Sequence, residues 1–121
     1  MVELECSCQC NKIKIPLNIK PTEIARCFCS ICKDIYKTES TSFAVYPKKI
    51  VAHLESADVK IVRSPRAIRG FCNCCDSPLF MLYDDSPNVW IVTNILKFDI
   101  THIEIYDIFR KIEIPALCSS L

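Results

Sequence analysis

At 121 residues, with 50% hydrophobic content, the chain is long enough for one domain with a modest core and too apolar for a disordered tail protein. Its 15 basic and 14 acidic residues leave a formal charge of +1, which removes the electrostatic reason to expect a nucleic-acid binder. Ten cysteines and one glycine are the anomalies: the thiols ask for metal or disulfides, and Asn or Asp must serve where tight turns need a positive φ.

The start, Met1 to Cys6, shows no leader pattern and no apolar run approaches a membrane span, so a cytoplasmic, reducing setting is expected. Clustered thiols there stay reduced and bind zinc rather than pairing as disulfides. Val2 and Leu4 alternate with Glu3 and Glu5, and Ile13, Ile15 and Leu17 with Lys12, Lys14 and Pro16, which reads as a hairpin. Between its arms lie Cys6, Cys8 and Cys10; a continuing strand would put all three on one face, so spacing leaves open which two bind. Asn18 to Pro21 is a connection.

Cys27-Phe28-Cys29-Ser30-Ile31-Cys32 follows, and Ser30 is placed to cap a short helical turn through Tyr36. Phe43 to Tyr46 reads as a buried strand stopped by Pro47, with Lys48 and Lys49 in a solvated turn. Ile50 to Ala52 and Val59 to Arg63 read as strands, and Pro65 marks a loop. Arg69-Gly70-Phe71 leads into a knuckle, Cys72 to Pro78, with Asp76 suited to a left-handed turn. Leu79 to Tyr83 and Val89 to Thr93 are the clearest strands, and the tail from His102 to Ile114 reads as strand broken near Asp107. No segment sustains a helical period beyond two turns, so the expected fold is mainly β and mostly antiparallel, in a single domain over 1–121.

Two half-sites, Cys8-x-Cys10 and Cys72-x-x-Cys75, make a closed four-thiolate zinc that staples distant parts of the chain. Cys27, Cys29 and Cys32 then form an open three-thiolate zinc, the arrangement of a reactive site. The alternative pairs two of those three with Cys72 and Cys75; the first partition is preferred because it uses every clustered motif. Cys6, Cys74 and Cys118 are left over, with Cys74 expected to point away and Cys118 to be a thiol of the polar tail.

Ser7 to Cys10, Cys27 to Lys33 (Cys-x-Cys-Ser-x-Cys-Lys) and Arg69 to Leu79 (Arg-x-Phe-Cys-x-x-Cys-x-Ser-Pro-Leu) come in an order that resembles the glutathione-dependent formaldehyde-activating enzyme family, which includes centromere protein V. The resemblance implies a β-tent of antiparallel sheets with two zincs, Cys8, Cys10, Cys72 and Cys75 at the structural one and Cys27, Cys29 and Cys32 at the catalytic one. Phe28 stands where the family commonly has His, which removes a possible proton carrier, and Asn11 and Asp76 stand where it has Gly.

The implied reaction is that of a carbon-sulfur lyase, in which glutathione as co-substrate adds to formaldehyde to give S-hydroxymethylglutathione. An open zinc would activate the thiol, since three thiolates already weaken it as a Lewis acid. Arg63, Arg66, Arg69, Lys48 and Lys49 are candidate clamps for the two carboxylates of glutathione, though each is more simply a solvated charge. Lys33, Asp34, His53 and His102 are the available acid or base groups; His53 is more simply a strand residue and His102 a hydrogen-bonded side chain of the last strand. Trp90, Tyr46 and Phe43 are expected in the core. The rival reading is a non-catalytic, zinc-stabilised binding module for a protein or chromatin partner; a methionine sulfoxide reductase lacks its redox cysteine motif here.

Overall fold

The structure, a computed structural model, describes residues 4–28, 30–50 and 57–108. Seven strands form one sheet: β1 (Ile24–Cys27), β2 (Thr41–Pro47), β3 (Val59–Ser64), β4 (Ala67–Cys72), β5 (Pro78–Tyr83), β6 (Asn88–Val92) and β7 (Ile105–Ile108), with one short helix, α1 (Ser30–Tyr36). Their order across the sheet is β3-β4-β5-β6-β2-β1-β7, and the mainly β expectation is met. Neighbours are antiparallel except β7, which lies parallel to β1 at the edge.

Directly opposed residues on paired strands share a face, so the register divides the sheet into two surfaces. One surface carries Ile24, Ala44, Tyr46, Val89, Ile91, Phe80 and Cys72, and it packs against the N-terminal arm through Cys6, Cys8, Ile13, Ile15 and Leu17. The arm is an irregular hairpin held by antiparallel bridges Leu4 to Leu17 and Ser7 to Lys14, and it joins the sheet's rim through Cys6 and Leu96. The other surface carries Cys27, Phe43, Val92, Met81 and Ala67, and α1 lies over it with Cys32 and Tyr36.

Several expectations shift. Cys6 and Cys8 are buried but Cys10 turns outward, because the arm leaves extended geometry at Asn11, whose φ is 65°. Ile24–Cys27 and Ala67–Cys72 are strands that periodicity had not marked, since the first is cut short by the cysteine run and the second is masked by Gly70. Gly70 sits at a register shift where a Cβ would come within 2.5 Å of the Phe80 ring, so packing rather than φ demands glycine. Ile50 ends a 3-10 turn, Lys48–Ile50, instead of opening a strand, and 51 and 52 lie outside the described residues. Thr93 likewise falls in a 3-10 turn, Thr93–Ile95, just after β6.

The largest correction concerns Asp107. It does not break the final strand but sits inside β7 opposite Arg26, whose guanidinium donates to both carboxylate oxygens at 2.7 and 3.2 Å. A cross-strand charge pair overrides the low strand preference of Asp. The expected start at Val2 and the strand from Ile112 to Ile114 lie outside the described residues.

Candidate metal centre and the second cysteine group

Cys8 and Cys10 flank the tip of the N-terminal arm, Cys72 ends β4, and Cys75 follows in the next turn. Their sulfurs all lie within 4.8 Å of one another, a group able to hold a metal ion. Cys8 to Cys10 is 3.6 Å and Cys10 to Cys72 is 3.7 Å, far beyond the ~2.05 Å of a disulfide. A zinc bonded at ~2.3 Å to four tetrahedral sulfurs holds them about 3.8 Å apart. The donor set and its spacing therefore fit zinc.

Local chain geometry explains the gathering. Asn11 and Asp76, with φ of 65° and 61°, each close a tight turn: the Asn11 N–H donates to the Cys8 carbonyl at 3.0 Å and the Asp76 N–H to the Cys72 carbonyl at 2.8 Å. These two residues do hold the left-handed backbone that glycine otherwise supplies. The N–H groups of Ile13 and Cys74 then point at the sulfurs of Cys8 and Cys72, at 3.2 and 3.4 Å. Ser77 ties the two turns together, its hydroxyl accepting from the Gln9 N–H at 3.2 Å and lying 3.0 Å from the Cys75 sulfur.

The same contacts set the acidity of the thiols. The Ser77 hydroxyl, ahead of the weaker opposing effect of burial, draws Cys75 down to about 6. Burial by itself would raise Cys8, but the Ile13 N–H and the sulfurs of Cys10 and Cys72 bring it below the ordinary thiol value. Cys10 gains from the Lys12 N–H but is driven up to about 12 by desolvation and the adjoining thiols. Four thiols so close share their protons as one unit, and a cation bound there would replace those protons.

Of the remaining cysteines, Cys6 is a core thiol pushed up to about 12 by burial, and Cys74 is exposed and outside the four-sulfur group. Cys118 lies outside the described residues.

The second group lies across the sheet. Cys27, at the end of β1, and Cys32, in α1, are both fully buried and belong to one apolar cluster with Phe43, Met81 and Val92. Cys29 lies outside the described residues. Arg69 of β4 is only 3% exposed, and its Nη1 donates to the Cys32 sulfur at 3.6 Å. Its guanidinium stacks 5.3 Å from the Tyr36 ring centre. Burial would lower the Arg69 pKa, but Tyr36 and Cys32 outweigh it and the group stays charged, while burial lifts the Tyr36 phenol to about 12.

Other candidates scatter. Arg69, expected as a solvated charge, is instead buried beside a thiol. Arg63 is held by both carboxylate oxygens of Asp84, at 2.9 and 3.2 Å, while Arg66, Lys48 and Lys49 are exposed. Lys33 and Asp34 point to solvent on α1. His102 is not within the last strand; it is exposed in the turn before β7, 3.9 Å from Asp99, and three residues before Ile105 at the far end of the β1–β7 pair from Cys27. His53 lies outside the described residues. Phe28 lies under the Arg26 guanidinium at 5.5 Å. Phe43 and Tyr46 are core residues on opposite faces, and Trp90 is half-buried against Phe43 and Tyr83. The sequence offered Arg69 as a candidate carboxylate clamp and Tyr36 only as a residue of a helical turn; Arg69 stands just ahead of the second cysteine pair. Among the described residues no helix is long and apolar enough to cross a membrane.

No curated protein matches the chain significantly. A Rhodobacter sphaeroides protein of known crystal structure shares the fold, with a TM-score of 0.66 and 15% identity over 85% of this chain and 100% of that one. Residues 3–103 match the model of a family described as glutathione-dependent formaldehyde-activating enzyme.

Proposed function

Because this chain belongs to the glutathione-dependent formaldehyde-activating enzyme family, we propose that it joins a small thiol, glutathione in the first instance, to formaldehyde. The sulfur of the thiolate bonds to the aldehyde carbon, the carbonyl π pair moves onto oxygen, and the proton given up by the thiol ends there. The product is S-hydroxymethylglutathione, the addition that a carbon-sulfur lyase runs in reverse, with no net oxidation.

The observation that carries this reading is the placement of the two cysteine groups on opposite faces of the sheet. Cys8, Cys10, Cys72 and Cys75 would hold a closed structural zinc, and Cys27, Cys29 and Cys32 a second zinc with an open position. When bound there, the ion supplies depression of a thiol's pKa. The chain's own residues do the rest. Arg69 orients the Cys32 sulfur by donating to it, and its charge favours thiolate over thiol. Phe43, Met81 and Val92 exclude water around both sulfurs and strengthen that attraction. Of the basic residues expected as clamps, Arg63 is engaged by Asp84, and Lys48 and Lys49 follow the end of β2 that lies away from Thr41, the residue opposite Cys27.

The test is purified protein with glutathione and formaldehyde. Product should form faster than by the spontaneous addition, and Cys29→Ser should remove the excess rate and lower zinc from about two per chain to one. A wild-type rate equal to the spontaneous one overturns the proposal.

A non-catalytic binding module is the second reading, favoured by Ile61 and Val62, which are 47% and 38% exposed on the outermost strand β3. One inert zinc and no rate enhancement would favour it.

A further inference from the structure

On the arm side, bordered by Cys75 of the four-sulfur group, lies a cavity of about 400 Å³. Three separate segments wall it: Gln9 near the tip of the N-terminal arm, the knuckle residues Cys75 to Ser77 after β4, and Asn94, Ile95 and Lys97 at the 3-10 turn that follows β6. Hydrogen bonds fix these segments to one another. The Gln9 N–H donates to the Ser77 hydroxyl at 3.2 Å, the Ser7 N–H to the Ile95 carbonyl at 2.9 Å, and the Lys97 N–H to the Glu5 carbonyl at 2.9 Å. The walls are therefore held by the fold and need not be ordered by a ligand, which removes part of the entropic cost of binding.

Part of the polar lining is committed. Ser77 accepts from Gln9 and lies 3.0 Å from the Cys75 sulfur, and Asp76 Oδ1 accepts from Lys60 at 2.7 Å. Asp76 Oδ2, the Lys97 ammonium and the carboxamides of Gln9 and Asn94 have no hydrogen-bond or ion-pair partner among the described residues. One such exposed group would be an ordinary solvated side chain. Here four of them line one cavity, and their chemistry is complementary. A carboxylate only accepts, an ammonium only donates, and a carboxamide does both. A molecule that serves all four carries an ammonium for Asp76, a carboxylate for Lys97 and an amide for Gln9 and Asn94. A simple anion would face Asp76 and a simple cation would face Lys97, and like charges brought together oppose binding.

We propose that this cavity binds a short zwitterionic peptide, its ammonium on Asp76, its carboxylate on Lys97 and its peptide group against the Gln9 and Asn94 carboxamides. The volume lies at the small end of the range for small-molecule sites, which suits two residues better than a longer chain. Cys27 and Cys32 lie across the sheet, so the site is separate from the thiol addition and stands if that reaction fails.

Glycylglycine is the probe, because it has both charged ends, one peptide group and no side chain. It is titrated into isotope-labelled protein as isolated, at constant ionic strength maintained with sodium chloride. Binding is followed by NMR at the side-chain amide signals of Asn94 and of Gln9, the only glutamine in the sequence. Saturable shifts are expected, with affinity weakened about threefold or more in Lys97→Met and in Asp76→Asn, the scale of a partly exposed charge contact, and unchanged in Lys48→Ala. Asp76→Asn keeps a residue that tolerates the left-handed turn, and Lys97→Met keeps most of the side-chain stem, so both variants should fold. N-acetylglycine, which has the amide and the carboxylate but no ammonium, should bind the wild type about threefold or more weakly than glycylglycine. No saturable shift in the wild type, equal affinity for N-acetylglycine, or equal affinity in Lys97→Met overturns the proposal.

Discussion

The two faces of the sheet handle sulfur in opposite ways. On the arm side, four thiols are drawn together by two left-handed turns, and backbone N–H groups and a serine hydroxyl already point at them. The contact from Cys10 to Cys72 closes a separation of 62 residues. On the helix side, Cys27 and Cys32 come from adjoining elements, and a single buried guanidinium donates to one of their sulfurs. Four converging sulfurs that join distant parts of the chain hold a fold together, whereas two buried thiols beside a cation are set apart by their charge environment.

That contrast breaks most sharply under cysteine replacement. Cys75→Ser should remove the metal and with it about 5 kcal/mol or more, comparable with the whole stability of a small domain, so the cooperative thermal transition should vanish. Cys27→Ser should keep that transition and change only metal content and rate. Equal melting of the two variants would erase the distinction between the faces.

Acid should act next, and on the arm side first. Cys75 is drawn from 9.0 down to about 6, a depressed value, so the stability tied to its thiolate is complete above the ordinary thiol pKa and is lost as pH falls through about 6. Metal release followed by a chromogenic chelator should therefore rise below about pH 6, with loss of the melting transition in step. Release that does not vary between pH 8 and 5 would contradict the thiolate linkage, on the rule that metal binding to thiols expels about one proton per ligand.

Packing effects come third. Gly70→Ala should cost about 1–3 kcal/mol in urea unfolding, because overfilling a close-packed core forces its neighbours to shift. The added methyl would meet the Phe80 ring at 2.5 Å, so Phe80→Leu in the same chain should return part of the loss. The smallest effect is expected at Lys37, which follows α1 with a φ of 58°. Lys37→Gly should stabilise by about 0.5–1 kcal/mol, the relief of a left-handed backbone at a helix end, and should leave both cysteine groups untouched.

Much of this was readable from residue types. Asn11 and Asp76, each beside a cysteine pair in a chain with one glycine, announced left-handed turns, and they adopt them. Alternation in Ile13, Ile15 and Leu17 marked residues that are buried together. Lys37 gave no such sign, since its conformation follows from where α1 ends rather than from its own preference. The strand Ala67–Cys72 was hidden because Gly70 and a buried arginine spoil its apolar pattern, although both are there for packing across the sheet.

The chain by itself determined its stock of thiols, their spacing, the β-rich character and the two left-handed turns, because these depend on side-chain chemistry and local backbone preference. Only the tertiary structure decided that Cys72 faces the arm while Cys27 faces α1, that Asp107 pairs with Arg26 inside a parallel edge, and that Arg69 is buried against Cys32. Those outcomes follow from strand register across the sheet, and register is set by partners far apart in the chain.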